Sequence, residues 1–209
     1  MTFISFKQFL QEAPLSIDAT DFGLSNADAN KRFGEGLRKN KDCEKVEELD
    51  GGFALYRINR MFAVFYKDEP TVYYLMKFKT GVISIVNKRA ATQIAVWASE
   101  SYPASIAKRV FFEQLLPEYH LVATDGHQTE SGARFWRNRV AEAQAKNLFV
   151  YFINQVSTPR KMVRIVSAKQ FSDLVSTGEI WGTSTKFEGR KLLISDSPLQ
   201  PKPDVDFED

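Results

Sequence analysis

Cysteine, histidine and net charge are all scarce in this chain of 209 residues. Cys43 is the single cysteine, so no intramolecular disulfide can form, which points away from an oxidised secreted scaffold and towards a reducing cytoplasm. His120 and His127 are the only histidines. With Cys43 alone beside them they cannot complete a closed zinc site of the Cys/His kind. Against 26 acidic residues stand 28 basic ones, a net charge of +2, so the whole chain carries no strong nucleic-acid signature. No apolar run approaches the roughly 18 residues needed to span a bilayer. Lys7, Gln8 and Gln11 interrupt any signal-peptide core near the start. The expectation is a soluble cytoplasmic protein with no membrane partner. No internal repeat is found.

What the chain has in quantity is large apolar side chains: 44% of its residues are hydrophobic, and Phe alone occurs 17 times. That supports one α/β domain with short extensions. Four segments are expected. Residues 1–14 form an amphipathic helix, with Phe6, Phe9, Leu10 and Ala13 at helical spacing and Pro14 as the stop. Residues 15–25 form a linker. A single domain covers 26–196. Residues 197–209 form an acidic tail with Pro198, Pro201 and Pro203, which has little to bury and is extended or disordered unless a partner holds it.

Within the domain, a helix is expected from Asn26 to about Lys39, with Ala29, Phe33 and Leu37 on one face, although Gly34 and Gly36 weaken it. Strand patterns follow at Phe53 to Ile58 and Met61 to Tyr66, joined by Asn59-Arg60 as a tight turn. Further strands at Thr71 to Lys79 and Val82 to Asn87 are separated by a turn at Thr80-Gly81. Tyr73, Leu75 and Lys77 alternate with Tyr74, Met76 and Phe78, and the whole block reads as an antiparallel meander.

The rhythm then changes to alternating strand and helix. Thr92 to Ala98 is a strand. Pro103 can open the next helix, whose stripe is Ile106, Ala107, Val110, Phe111 and Leu115 and which Pro117 ends. Leu121 to Thr124 is a short strand. Thr129 can cap a helix with Gly132, Trp136, Val140 and Ala143 along one side. Leu148 to Ile153 is a strand covered on both faces. Met162 to Val166, Ala168 to Val175 and Lys191 to Ile194 add a strand, a helix and a strand. The expected class is α/β (α+β), a mixed sheet with an antiparallel first half and a strand-helix-strand-helix-strand second half.

Two junctions can carry chemistry. After the strand ending at Ala98, a helix start with Ala104, Ser105 and Ala107 lets an anion approach backbone N–H groups, with Lys108 and Arg109 nearby; an ordinary turn with solvated basic residues fits the same pattern. Asp125 and His127 follow the carboxyl end of another strand, where ligands bind in open α/β sheets. His127 suits a general base, and an exposed loop histidine fits equally.

The order of elements from Thr92 to Asn154 resembles the acyl-CoA N-acyltransferase superfamily. There a loop of pattern Q/R-x-x-G-x-G/A holds the cofactor pyrophosphate. The equivalent stretch here is Tyr102-Pro103-Ala104-Ser105-Ile106-Ala107, in which Ala107 fits, Tyr102 replaces Gln or Arg, and Ser105 replaces the first glycine. The run Asp125, Thr129, Gly132 and Trp136, with Arg137 and Arg139, is similar to a segment of acetyltransferase-like phage proteins. The resemblance implies acetyl-CoA as cofactor, bound between the strands at Thr92 to Ala98 and Leu121 to Thr124. It also implies a binding set of Val96, Ala98, Ala104, Ser105, Ile106, Ala107, Lys108 and Arg109, with His127 or Asp125 as base. The Tyr that the superfamily uses as acid to the leaving thiolate has no counterpart between Gly126 and Lys146.

Separately, Phe6 to Ala13 resembles the capsid-targeting peptides of internal head proteins in large tailed phages, trimmed after Leu/Ile-x-Glu, which Leu10-Gln11-Glu12 fits. Three readings follow: a phage-encoded acetyltransferase acting on a host or phage amine, a non-catalytic module that binds a host protein, and an internal virion protein. A homo-oligomer is compatible with each.

Overall fold

A computed structural model describes residues 24, 26–99, 101, 105–124, 130–180 and 189–208, with the backbone alone at Glu130 and Ser131. The expected helix over 1–14 and all but Leu24 of the linker over 15–25 lie outside these residues, as do Pro103 and Thr129. The strands are β1 (Cys43–Glu48), β2 (Phe53–Ile58), β3 (Met61–Tyr66), β4 (Val72–Ile83), β5 (Lys88–Ala98), β6 (Leu121–Ala123), β7 (Phe149–Asn154), β8 (Arg160–Arg164), β9 (Arg190–Ser195) and β10 (Val205–Glu208). They hydrogen-bond in the order β1-β2-β3-β4-β5-β6-β9-β7-β8-β10, a 10-stranded, mostly antiparallel sheet. Two compact units divide the chain: Met1–Phe78 with Ile94–Ile106, and Lys79–Gln93 with Ala107–Asp209.

The first unit is a meander. β1, β2, β3 and β4 pair antiparallel in sequence order, and Asn59 makes the tight β2–β3 turn at φ 54°, a conformation Asn tolerates better than most residues. Helix α1 (Ala27–Arg38) begins where Asn26 Oδ1 accepts the N–H groups of Asp28 (3.0 Å) and Ala29 (3.1 Å), a side-chain cap on otherwise orphaned donors. Its buried residues are Asn30, Gly34 and Leu37. Gly34, which weakens the helix by propensity, is required by packing: a Cβ there would overlap the Pro70 carbonyl and press on Phe65. Asn30 fixes the helix to the start of β4, accepting the Val72 N–H (2.8 Å) and donating to the Val72 carbonyl (3.0 Å). Leu37, Ile58, Met61, Phe65, Leu75 and Trp97 form the core of this unit.

Two differences from the expected pattern occur nearby. β1, with the sequence Cys-Glu-Lys-Val-Glu-Glu, was not anticipated, because an edge strand with charged side chains looks like a loop by composition. The turn expected at Thr80-Gly81 is absent; β4 runs on to Ile83 and the chain turns at residues 84–87, with Asn87 at φ 53°. Carrying the strand this far buries Ile83 and Ile85 in the core of the second unit.

The second unit is built from non-adjacent segments. β5 pairs with β6 in parallel, and β9 lies antiparallel between β6 and β7, so β5, β6 and β7 all point the same way. Helical connections link them. The first, α2, runs as α-helix over Ile106–Arg109, π-helix over Val110–Leu115 and α-helix over Leu116–Tyr119. The second is α3 (Glu130–Ala145). Pro117 does not end α2 as expected. The Leu116 N–H reaches back to the Phe111 carbonyl, an i→i+5 step that widens the turn just before the residue with no N–H to donate. The helix stops at His120, left-handed at φ 57°.

Leu121, Ala123, Tyr151, Ile153 and Leu193 share one buried cluster. Their alternates Val122, Val150, Phe152, Leu192 and Ile194 are buried too and point to the opposite face. α3 packs on β7, and the ring of Phe111 on α2 meets Trp136 on α3 edge-on at 5.4 Å.

Residues 197–208 do not float free. Leu199 and Val205 are buried in the same cluster as Tyr151 and Leu193, the Leu199 N–H donates to Tyr151 Oη (3.0 Å), and the Lys202 N–H to the Ile85 carbonyl (3.0 Å). β10 then adds to β8 in parallel. The segment therefore has apolar anchors and a strand edge within its own chain, which its acidic, proline-containing composition conceals. Helix α4 (Ala168–Ser176), capped by Ser167, matches the expected element.

Candidate functional site

In a sheet with parallel strands joined by helices, ligand-binding groups gather where the strands end and the helices begin. In the sequence, residues 99–105 follow β5 and residues 124–129 follow β6; the first stretch belongs to the first unit and the second to the second unit. β5 and β6 share two ladder positions, Ala91 with Val122 and Thr92 with Ala123, while β5 itself continues to Ala98. Val96 and Ala98 lie on one side of β5 by strand alternation, the first half-buried and the second exposed.

At the start of α2 the expected binding residues divide by burial. Ser105 is exposed, Ile106 and Ala107 are buried, Lys108 is exposed and Arg109 is partly exposed. Ile106 and Ala107 thus offer backbone only. Arg109 lies 3.8 Å from Glu113 one turn on, so Lys108 is the more open charge. Ala104, Asp125 and His127 lie outside the described residues, and so does Tyr102.

The end of β6 has a feature that sequence reasoning did not single out. Thr124 is fully buried. Its N–H donates to the Leu192 carbonyl (2.9 Å), but the returning Leu192 N–H goes to Thr124 Oγ1 (3.0 Å), not to the backbone carbonyl. The released carbonyl accepts from Lys191 Nζ (3.1 Å) instead. The hydroxyl thus substitutes for a ladder acceptor, and the backbone leaves β9 one residue before Asp125. Threonine at a strand end was the available signal; nothing in the sequence marked Lys191.

Other polar groups have structural employment. His120 Nδ1 and Asp196 Oδ2 are 2.6 Å apart, at the opposite end of β6 from Thr124. Arg139 is 7% exposed, 3.3 Å from Glu142, and lies over the Phe135 ring at 5.1 Å; it braces α3. Lys77 in the first unit is 9% exposed, and burial lowers its pKa. Among the described residues no group of three or more His, Cys, Asp or Glu side chains is arranged to hold a metal, and no helix is long and apolar enough to cross a membrane. A separate open groove of about 420 Å³ lies beside α4, lined by Lys161, Val163, Gln170, Asp173, Leu174 and Glu208 among others.

Comparison of the chain with family profiles, with characterised proteins and with solved structures returns no match.

Proposed function

We propose that the chain is an acyltransferase-like protein, encoded by a tailed phage, that binds acetyl-CoA and passes the acyl group to an amine of a host or phage target. The observation that carries this reading is the succession β5–α2–β6–α3–β7, in which the three strands are parallel and β5 and β6 are neighbours. It is the arrangement expected of the superfamily that Thr92 to Asn154 resembles.

On this reading the backbone N–H groups from Ser105 to Ala107 take the cofactor's phosphates, as at other helix starts, and Lys108 adds charge. The amine attacks the thioester carbonyl directly and His127 or Asp125 receives its proton; the C–S bond then breaks, coenzyme A leaves as the thiolate and takes a proton from water, and no covalent enzyme intermediate forms. Calorimetry with acetyl-CoA tests it: binding weakened several-fold by Lys108→Glu is the expected result. An absence of heat at millimolar ligand removes the reading.

A second reading is favoured by two observations. No Tyr is present between Gly126 and Lys146, and the Ser105 side chain occupies the usual glycine position. The same scaffold then serves as a non-catalytic module that binds a host protein. Capture of a bacterial protein that survives both Tyr102→Ala and His127→Ala supports it; capture lost with either substitution counts against it.

A further inference from the structure

We propose that residues 197–208 form an exchangeable strap, and that the surface they cover takes the same strap from a second copy of this chain. The anchors are separate: beyond the hydrogen bonds of the Leu199 and Lys202 N–H groups, they are two apolar side chains, one short ladder and two ion pairs. Leu199 and Val205 enter the core of the second unit, and four ladder positions run from Val205 with Arg160 to Glu208 with Val163. Two ion pairs fasten the strand to β8, Arg160 with Asp204 and Lys161 with Glu208. Both are solvent-facing, with Asp204 61% and Glu208 55% exposed, so salt and water weaken them. A segment held by so few buried groups detaches in a local opening that leaves the rest of the fold intact.

Detachment uncovers a surface with a defined requirement. It offers the edge of β8, two basic side chains beside it, and apolar sockets lined by Tyr151, Leu193 and Met162. A strand that fits must carry two apolar residues six positions apart and acids within reach of Arg160 and Lys161. The segment of this chain that meets this requirement is the strap itself, so a second copy is the occupant. Pro198, Pro201 and Pro203 hold the connection extended, which favours reaching outward over refolding locally. Exchange of one identical element between protomers adds no new contact chemistry and is a low-cost route to a dimer.

Charge reversal in the full-length chain tests the proposal. One variant carries Arg160→Glu and Lys161→Glu, the other Asp204→Lys and Glu208→Lys. Each alone mismatches its own strap, whereas reciprocal exchange between the two restores every pair. Mixing is expected to give a species of twice the 23.8 kDa chain mass in light scattering, at several times the level in either variant alone. A mixture with no more dimer than its components overturns the proposal. Should either variant fail to fold, hydrogen exchange on the unaltered chain decides. Amides of residues 205–208 that exchange at least a hundredfold faster than those of β7 support a detachable strap, and equal rates refute it.

Discussion

The two units order their strands by opposite routes. In the first, each of β1 to β4 pairs with its neighbour in sequence, so the order of segments and the order in space coincide. In the second, β9 enters between β6 and β7, and β10 adds to β8 from near the C-terminal end of the sequence. Leu121 meets Ser195, and Val205 meets Arg160. Local pairing needs short loops to close; the second arrangement must order long stretches of chain before its contacts form. Both units are filled by large buried side chains, Phe62, Phe65 and Tyr74 in the first and Phe111, Trp136 and Phe152 in the second, so the contrast lies in the order of pairing.

This contrast can be broken by substitution, and the largest effect is expected at Trp136. It is fully buried and meets Phe111 edge-on, so Trp136→Ala should cost about 3–5 kcal/mol. Denaturant midpoints measure the loss, and hydrogen exchange should show it first in β6, β7 and β9. Gly34→Ala probes the first unit. The added methyl group meets backbone at Pro70, and a loss of about 1–3 kcal/mol is expected despite alanine's better helix propensity. A gain in midpoint would show that α1 does not sit this close.

Asn30→Ala should cost about 1–3 kcal/mol by leaving the Val72 N–H and carbonyl unpaired in a buried place, read again from the midpoint, and Asn30→Asp should restore only the accepting half. The smallest effect belongs to the strap. Hydrogen bonding from Arg160 holds the Asp204 carboxyl below its ordinary pKa, so that contribution is present above the ordinary value and fades as pH falls through the lowered one. Hydrogen bonding to Glu208 raises the Lys161 ammonium; that contribution is present below the ordinary lysine value and fades as pH climbs past the raised one. Protection of the β10 amides should therefore form a plateau between the acid and alkaline limbs, and a flat profile to both extremes would remove the ion pairs from the account.

Much of this architecture was readable because its signals are local. β2 and β3 begin and end at Phe53, Ile58, Met61 and Tyr66 as expected, since alternation and an Asn turn are properties of adjacent residues. β7 was legible from its apolar run, and α1 from its stripe, while the Asn26 cap emerged only with the structure. The failures were non-local in origin. β1 and β10 are too charged to look like strands until their partners are known. Thr80-Gly81 reads as a turn until Ile83 finds a core to enter. At the candidate site, Ser105 to Arg109 could be named from sequence, and the apolar stripe that included Ile106 and Ala107 but not Lys108 matches their burial and its exposure. The exchange of a carbonyl for the Thr124 hydroxyl had only a strand-end threonine to announce it, and its partner Lys191 had no signal.

One consequence of α2 concerns chain length. A turn of i→i+5 geometry amounts to a single residue slipped into an ordinary helix. The buried groups Ile106–Ala107, Val110–Phe112 and Leu115–Leu116 recur at intervals of four to five, so the slipped residue is what keeps them in phase with the sheet. Deleting one position between 110 and 115 would let the turn rewind to ordinary α-helix, and the lost residue and the lost widening cancel, so Leu115 and Leu116 keep their face. The widened turn is thus a place where α2 tolerates a change of length by one residue without turning the chain that enters β6.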